Sequence, residues 1–404
     1  MQFDRPASEP PRPVTPSDPP ATGGSTPSPD LRPPSSASGA SGATPVASAA
    51  PAASGARPTG GSGAAGIEQI EHAAPQGEVG PWGVAPQPST FTPPSPTWKP
   101  LRLPLVGHTY PEVLRTPRWR WWHAPVAWPL AFLLGAIATI LPMVVYAIVA
   151  ALRGAGDPLG RLDDVTDPTT MFVLDVSLAL LPVAALLAVA AGHRVSARFL
   201  HSVEGRVRWG WLLRCVLVLL PLFAVYIVGA WFLDGSRTEP RPAAWPWLLV
   251  LTFVMTPLQA AGEEYLFRGF VLTTIGSYFR RPLVGLVVAG AVSCGLFAAA
   301  HGSADPWIIT DLAGMAAGCV YLAWRTGGLE AGIALHVVNN VVVGVVGILN
   351  GTITESYVDT TTTGTPGQAI VSVVVTALFV AVLDRQYRRS GLTRTVPPTV
   401  GALP

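Results

Sequence analysis

Charge is scarce in this 404-residue chain: Asp, Glu, Lys and Arg make up 12% of it, and every basic residue except Lys99 is arginine. A net charge of +2, with no basic run interleaved with aromatics, argues against a nucleic-acid partner. Cysteine is nearly missing too. Cys215, Cys294 and Cys319 fall inside apolar runs and form no Cys-x-x-Cys, which excludes a disulfide framework and a thiolate metal site and leaves them as small core residues. The amino terminus has no charged stretch followed by an apolar one, so no cleaved signal peptide is expected and the first apolar span is expected to serve as the insertion signal. Residues 1–100 lack any aliphatic run. Dominated by Pro, Ala, Ser, Gly and Thr, they cannot bury enough apolar surface to offset chain entropy, and read as a disordered cytoplasmic arm.

What is abundant is apolar surface, at 49% of residues. Beyond a basic and aromatic interfacial segment at 101–126, runs near the twenty or so residues that cross a bilayer recur at 127–152, 170–192, 211–233, 246–268, 283–301, 306–324, 329–349 and 369–384. The fold class read from them is all-α, a polytopic transmembrane bundle of eight spans over 127–390, followed by a short tail at 391–404. The fourth span is expected to continue as an amphipathic helix through Val271 and Leu272 to Tyr278. Arginines gather before span one (Arg115, Arg118, Arg120), between spans two and three, between four and five (Arg280, Arg281), before seven (Arg325) and after eight, while the alternate loops hold Asp157, Asp163, Asp164, Glu355 and Asp359. By the positive-inside rule both termini are cytoplasmic in a plasma-membrane protein. Trp119, Trp121, Trp122 and Trp128, with Trp245 and Trp247, read as interfacial anchors among membrane lipids.

Against this background the adjacent carboxylates Glu263 and Glu264, followed by Arg268, stand out, because a charge in hydrocarbon is kept mainly when it is paired or works. Glu264 and Arg268 are one helical turn apart and can pair, whereas Glu263 is rotated about 100° away and is left to meet a water or a substrate. Phe297 and His301 share a helical face, as do His336 and Asn340, so an imidazole and a carboxamide can point into one cavity. Glu263 and His301 lie equally far from Pro282 along the chain, so an antiparallel helix pair turning there sets them at one depth, roughly 28 Å from the turn at 1.5 Å per residue. His336, soon after Gly328, reads as nearer the cytoplasmic side. Either the turn projects into the cytoplasm or the fourth span is broken near Arg268 and Gly269.

In order, these motifs are Glu263-Glu264-x-x-x-Arg268, Phe297-x-x-x-His301 and His336-x-x-x-Asn340, and over residues 245–350 the chain resembles the CAAX-protease and bacteriocin-processing (CPBP, or Abi) intramembrane endopeptidases, which include the Ras-converting type of prenyl-protein endopeptidase. The resemblance implies hydrolysis of a peptide bond in a membrane-associated or lipid-modified peptide. It casts Glu263 and His301 as the groups that activate water, His336 and Asn340 as the oxyanion hole, and Glu264, Arg268 and Phe297 as supporting residues. The family is often described as metallopeptidases, and a Zn²⁺ held by Glu263, His301 and His336 is the metal-dependent alternative. Because asparagine is an unusual zinc ligand and no His-Glu-x-x-His is present, metal-independent water activation is the favoured reading. Two rival functions remain: a proton-coupled transporter with Asp175, Asp311, Glu263 and His301 as a relay, and a catalytically silent immunity or membrane-anchoring protein.

Overall fold

Proline at the first helical turn, where its missing N–H costs nothing, starts five of the long helices, and side chains cap three of them. Asp305 accepts from the backbone N–H groups of Trp307 and Ile308, Asp167 accepts from Thr169, and Thr365 with Gln368 forms a capping box. Gly327 and Gly351, both at positive φ, end the helices that precede them. In the computed structural model, which describes residues 102–154, 157, 159–233 and 238–398, these signals delimit eight helices long and apolar enough to cross a membrane. They are α1 His123–Leu152, α2 Pro168–His193, α3 Trp209–Leu233, α4 Trp245–Gly276, α5 Pro282–Ala300, α6 Pro306–Thr326, α7 Glu330–Asn350 and α8 Pro366–Tyr387. Among the described residues there is no strand beyond isolated bridges such as Thr109 with Thr395. The reading of residues 1–100 as disordered concerns residues outside this set.

The expected spans are recovered to within a few residues, α1 starting earlier at His123. Helix α7 packs against α3, α4 and α6, and half of its apolar window is buried inside the protein; α1 is at the periphery, with side chains such as Phe132 open to lipid. The segment read as interfacial is more than that. Tyr110, Val113 and Leu114 are buried, the Tyr110 hydroxyl donates to the Leu200 carbonyl, and Arg115 donates to the Phe279 carbonyl. Only its Trp121 and Trp122 remain exposed as anchors.

Two helices are interrupted, and both interruptions bear on the glutamates. In α4, Pro257 cannot donate to the carbonyl one turn back, and the helix breaks at Met255 before resuming as Thr256–Glu264. Immediately after Glu264 comes a π-helical turn, Tyr265–Val271, and then a last α-helical turn, Leu272–Gly276. In α2, Pro182 frees the Leu178 carbonyl, and the chain packs that carbonyl directly against Gly262, where any Cβ would collide with it. The residue before the glutamate doublet is thus glycine because two helix backbones meet there.

That contact yields a first prediction. Gly262→Val should separate α2 from α4 and destabilise the protein by about 1–3 kcal/mol, the usual cost of overpacking. Thermal unfolding of the purified variant in detergent measures it, and a midpoint equal to the wild type would contradict the packing described.

Candidate active site

Helices α4, α5 and α7 bring the three motifs together. Arg268 is fully buried, and its Nη1 donates to Glu264 Oε1 at 2.8 Å, the pairing expected from their spacing. The guanidinium carbon also lies 4.5 Å from the centre of the Phe297 ring, a cation–π contact that partly compensates for Arg268 Nε and Nη2, which have no hydrogen-bond partner. From α7, the imidazole of His336 inserts between the two glutamates, with Nδ1 3.0 Å from Glu264 Oε1 and Nε2 3.4 Å from Glu263 Oε2. Gly332, one turn before His336, leaves room for Glu264 Oε2, and Cys319 on α6 lies behind it.

Glu263 is anchored differently. Its Oε1 accepts from Gln259 Nε2 at 2.7 Å, one turn back on α4, while its buried Oε2 has no hydrogen-bond partner. The Gln259 carbonyl oxygen in turn accepts from Asn340 Nδ2 at 3.4 Å, and Asn340 Oδ1 accepts from Asn339. His301 caps the end of α5, its Nδ1 2.9 Å from the Phe297 carbonyl oxygen and its ring tilted on the Phe297 ring at 4.8 Å between centres. Phe297 therefore touches Arg268, His301 and, edge-on at 5.6 Å, His336.

The arrangement differs from the sequence reading in two respects. His336 is not displaced toward the cytoplasmic side of the doublet; it touches both glutamates. Counting from the turns did not anticipate this contact, because the end of α4, from Phe267 to Thr274, is itself buried inside the protein and packs against the 110–115 segment and α5. The suspected irregularity near Arg268 and Gly269 is the π-helical turn. Second, the imidazole within 4 Å of Glu263 is that of His336, with His301 one turn of α5 beyond Phe297. Sequence reasoning overlooked Gln259, whose only signal was a polar amide one turn before Glu263 in an otherwise apolar run.

The hydrogen-bond inventory constrains the protons. Facing a carboxylate, His336 Nδ1 carries the N–H, so in the neutral ring Nε2 is a bare lone pair. Opposite it lies an unpartnered carboxylate oxygen in a buried setting. The zinc alternative requires Glu263, His301 and His336 to converge. Among the described residues no three His, Cys, Asp or Glu side chains are grouped to hold a metal, so the side chains as arranged do not fit one.

Residues 243–342 match the family described as type II CAAX prenyl endopeptidase, Rce1-like. Over this stretch, about a quarter of the chain, the sequence is similar to the CAAX-protease family. The matched segment runs from just before α4 to the middle of α7 and contains all three motifs. A curated relative, an uncharacterized Bacillus subtilis (strain 168) protein, YyaK, is 29% identical over 112 residues, which is 26% of this chain and 36% of the relative, so the chain spans little more than a third of that protein's length. No solved structure matches. Eight helices long and apolar enough to cross a membrane, with this match inside them, mark the chain as an integral membrane protein.

The Glu264–Arg268 pair supplies a second prediction. Glu264→Gln leaves a fully buried guanidinium without its anion and should cost about 3–5 kcal/mol. Adding Arg268→Met should recover part of that loss, because removing both charges of a buried pair is far less harmful than removing one. Unfolding midpoints of the two variants in detergent test this; a Glu264→Gln protein as stable as the wild type would show that the pair is not the cluster's electrostatic anchor.

Proposed function

We propose that the protein is an intramembrane endopeptidase that hydrolyses a peptide bond in a membrane-associated or lipid-modified peptide without a resident metal. The observation that carries this reading is Glu263 Oε2, a buried carboxylate oxygen with no hydrogen-bond partner, beside His336 Nε2, in a cluster whose other acid is already neutralised. A water bound at Oε2 loses a proton to Glu263 as its oxygen bonds to the scissile carbonyl carbon. The oxygen of that carbonyl then bears the negative charge, beside the His336 ring, whose Nε2 donates to it when it carries a hydrogen. Donors held in a dry site stabilise such charge far better than they would in water. Asn340 Nδ2 is the second donor once it leaves Gln259, and His301, across Phe297, assists in orienting the water. Glu263 returns the proton to the departing amine nitrogen as the carbon–nitrogen bond breaks.

The arginine distribution supports an orientation with both termini cytoplasmic, and the plasma membrane is the location we propose for it. The transporter alternative gains nothing from the polar contacts. Asp175 accepts from Thr256 and Asp311 from Ser372, and among the described residues no hydrogen bond links either to Glu263 or His301.

The test is cleavage of lipid-modified and transmembrane peptide libraries by the purified full chain. Glu263→Gln should lower turnover by about 10²–10⁴-fold, as removal of a general base does, while insertion and folding persist. Retention of more than about a tenth of wild-type turnover would end the assignment.

Asn340→Ala separates the two mechanistic classes. If Asn340 donates to charge that exists only in the transition state, kcat should fall by about 10²–10³-fold with little change in KM. A proton relay makes no such demand on a carboxamide. Unchanged cleavage together with pH-driven flux in liposomes that depends on Glu263 would turn the reading to transport.

A further inference from the structure

Gln259 is absent from all three motifs, yet it is the residue that joins two of them. Its amide uses both ends inside the site: Nε2 donates to Glu263 Oε1 at 2.7 Å, and Oε1 accepts from Asn340 Nδ2 at 3.4 Å. The first contact is short and charge-assisted, the stronger class of hydrogen bond. The second ties α4 to α7 at the carboxamide assigned to the oxyanion. Gln259 stands one turn from Glu263 on the same helical face, and the segment that carries both is held in place by Pro257 below and by the Gly262–Leu178 contact above. Neither a glutamate nor a leucine could make both contacts as found, since one lacks the N–H and the other both polar atoms.

The asymmetry at Glu263 is the informative part. Of its two oxygens, the one toward Gln259 is occupied and the one toward His336 is not. A carboxylate fixed at one oxygen cannot rotate its other oxygen away from the reacting centre, and this is the preorganisation that a general base in a water-poor site requires. We infer that Gln259 is a positioning residue: it clamps Glu263 Oε1 so that Oε2 alone faces water and the scissile carbonyl, and it parks the Asn340 amide until a developing oxyanion competes for it. The inference rests on the peptidase reading for its catalytic half, but the clamp itself is a property of the resting protein.

Both halves can be read separately on the full chain in liposomes. The near-isosteric Gln259→Met removes both polar contacts, and Gln259→Glu removes the N–H while keeping size and polarity, so that a folding failure of one leaves the other informative. The first readout is modification of carboxyl side chains by dicyclohexylcarbodiimide, mapped by peptide mass spectrometry, with Asp311 as the internal standard because its contact to Ser372 lies elsewhere in the bundle. Freed from its hydrogen bond, Glu263 should react about threefold to tenfold faster relative to Asp311 in both variants, the scale of one net hydrogen bond. The second readout is cleavage, in which kcat should fall about 10- to 100-fold while KM stays within about twofold, as expected when a group is misplaced and not when binding is lost.

An unchanged Glu263-to-Asp311 labelling ratio in both variants would overturn the clamp whatever the enzymology shows. Faster labelling with unaltered kcat would overturn the positioning role. Faster labelling in a protein whose wild type cleaves nothing would sustain the clamp and discard the peptidase reading instead.

Discussion

A guanidinium with no access to water governs the centre of this protein. Arg268 can be buried only if an anion meets it, and Glu264 does so from one turn away on the same helix. That anion is then shared: His336 donates to the same carboxylate oxygen from α7, and the Phe297 ring on α5 covers the face of the guanidinium. Three helices are thereby fixed to one another: a shift of α7 would separate His336 from both acids, and a shift of α5 would uncover the guanidinium face. A buried ion pair adds little to stability in itself. Here its consequence is specificity, because the pair travels with α4 while its imidazole partner and its aromatic cover come from α7 and α5 and are met together only in this packing.

The irregular backbone near this pair answers the same demand. The π-helical turn begins at Tyr265, right after the doublet, and Phe267 to Val271 within it are buried. A π turn inserts a residue into the helical register and so rotates the downstream part of the helix relative to the upstream part. The doublet can thus face α7 while the end of α4 faces the 110–115 segment and α5, contacts that include Ser293 donating to the Phe267 carbonyl. Upstream, the breaks at Met255 and at Leu180 arise from prolines whose missing N–H groups release carbonyls, and one of these, at Leu178, becomes the surface on which Gly262 rests.

How legible this was depended on the range of the interaction. Span positions were readable because apolar length and proline or aspartate starts are local, and the Glu264–Arg268 pair was readable because helical spacing alone sets it. Contacts that cross between helices were not. His336 reads as nearer the cytoplasmic side than Glu263 when residues are counted from a turn, since such counting takes each helix as regular and independent, whereas α4 is interrupted by a π turn and packed at its end against the 110–115 segment. Gln259 was passed over because a single amide in an apolar helix announces nothing until the partners on both of its sides are known. The motifs named which residues matter but not which touch.

The adjacency of the two glutamates now has a physical account. Neighbours on a helix point about 100° apart, too far to share a partner on their own helix but close enough for one flat ring from a second helix to lie between them. The imidazole of His336 does this, one nitrogen toward each acid. Glu264, neutralised by Arg268, holds the ring by Nδ1 and so sets where Nε2 points, which is toward Glu263 Oε2, while Glu263 Oε1 is held by Gln259. Were the two acids a full turn apart, both would compete for Arg268 along one face, and neither would be left free beside a fixed imidazole. The doublet divides one helical position into a structural acid and a chemical one, with the histidine as the element that lets the first orient the second.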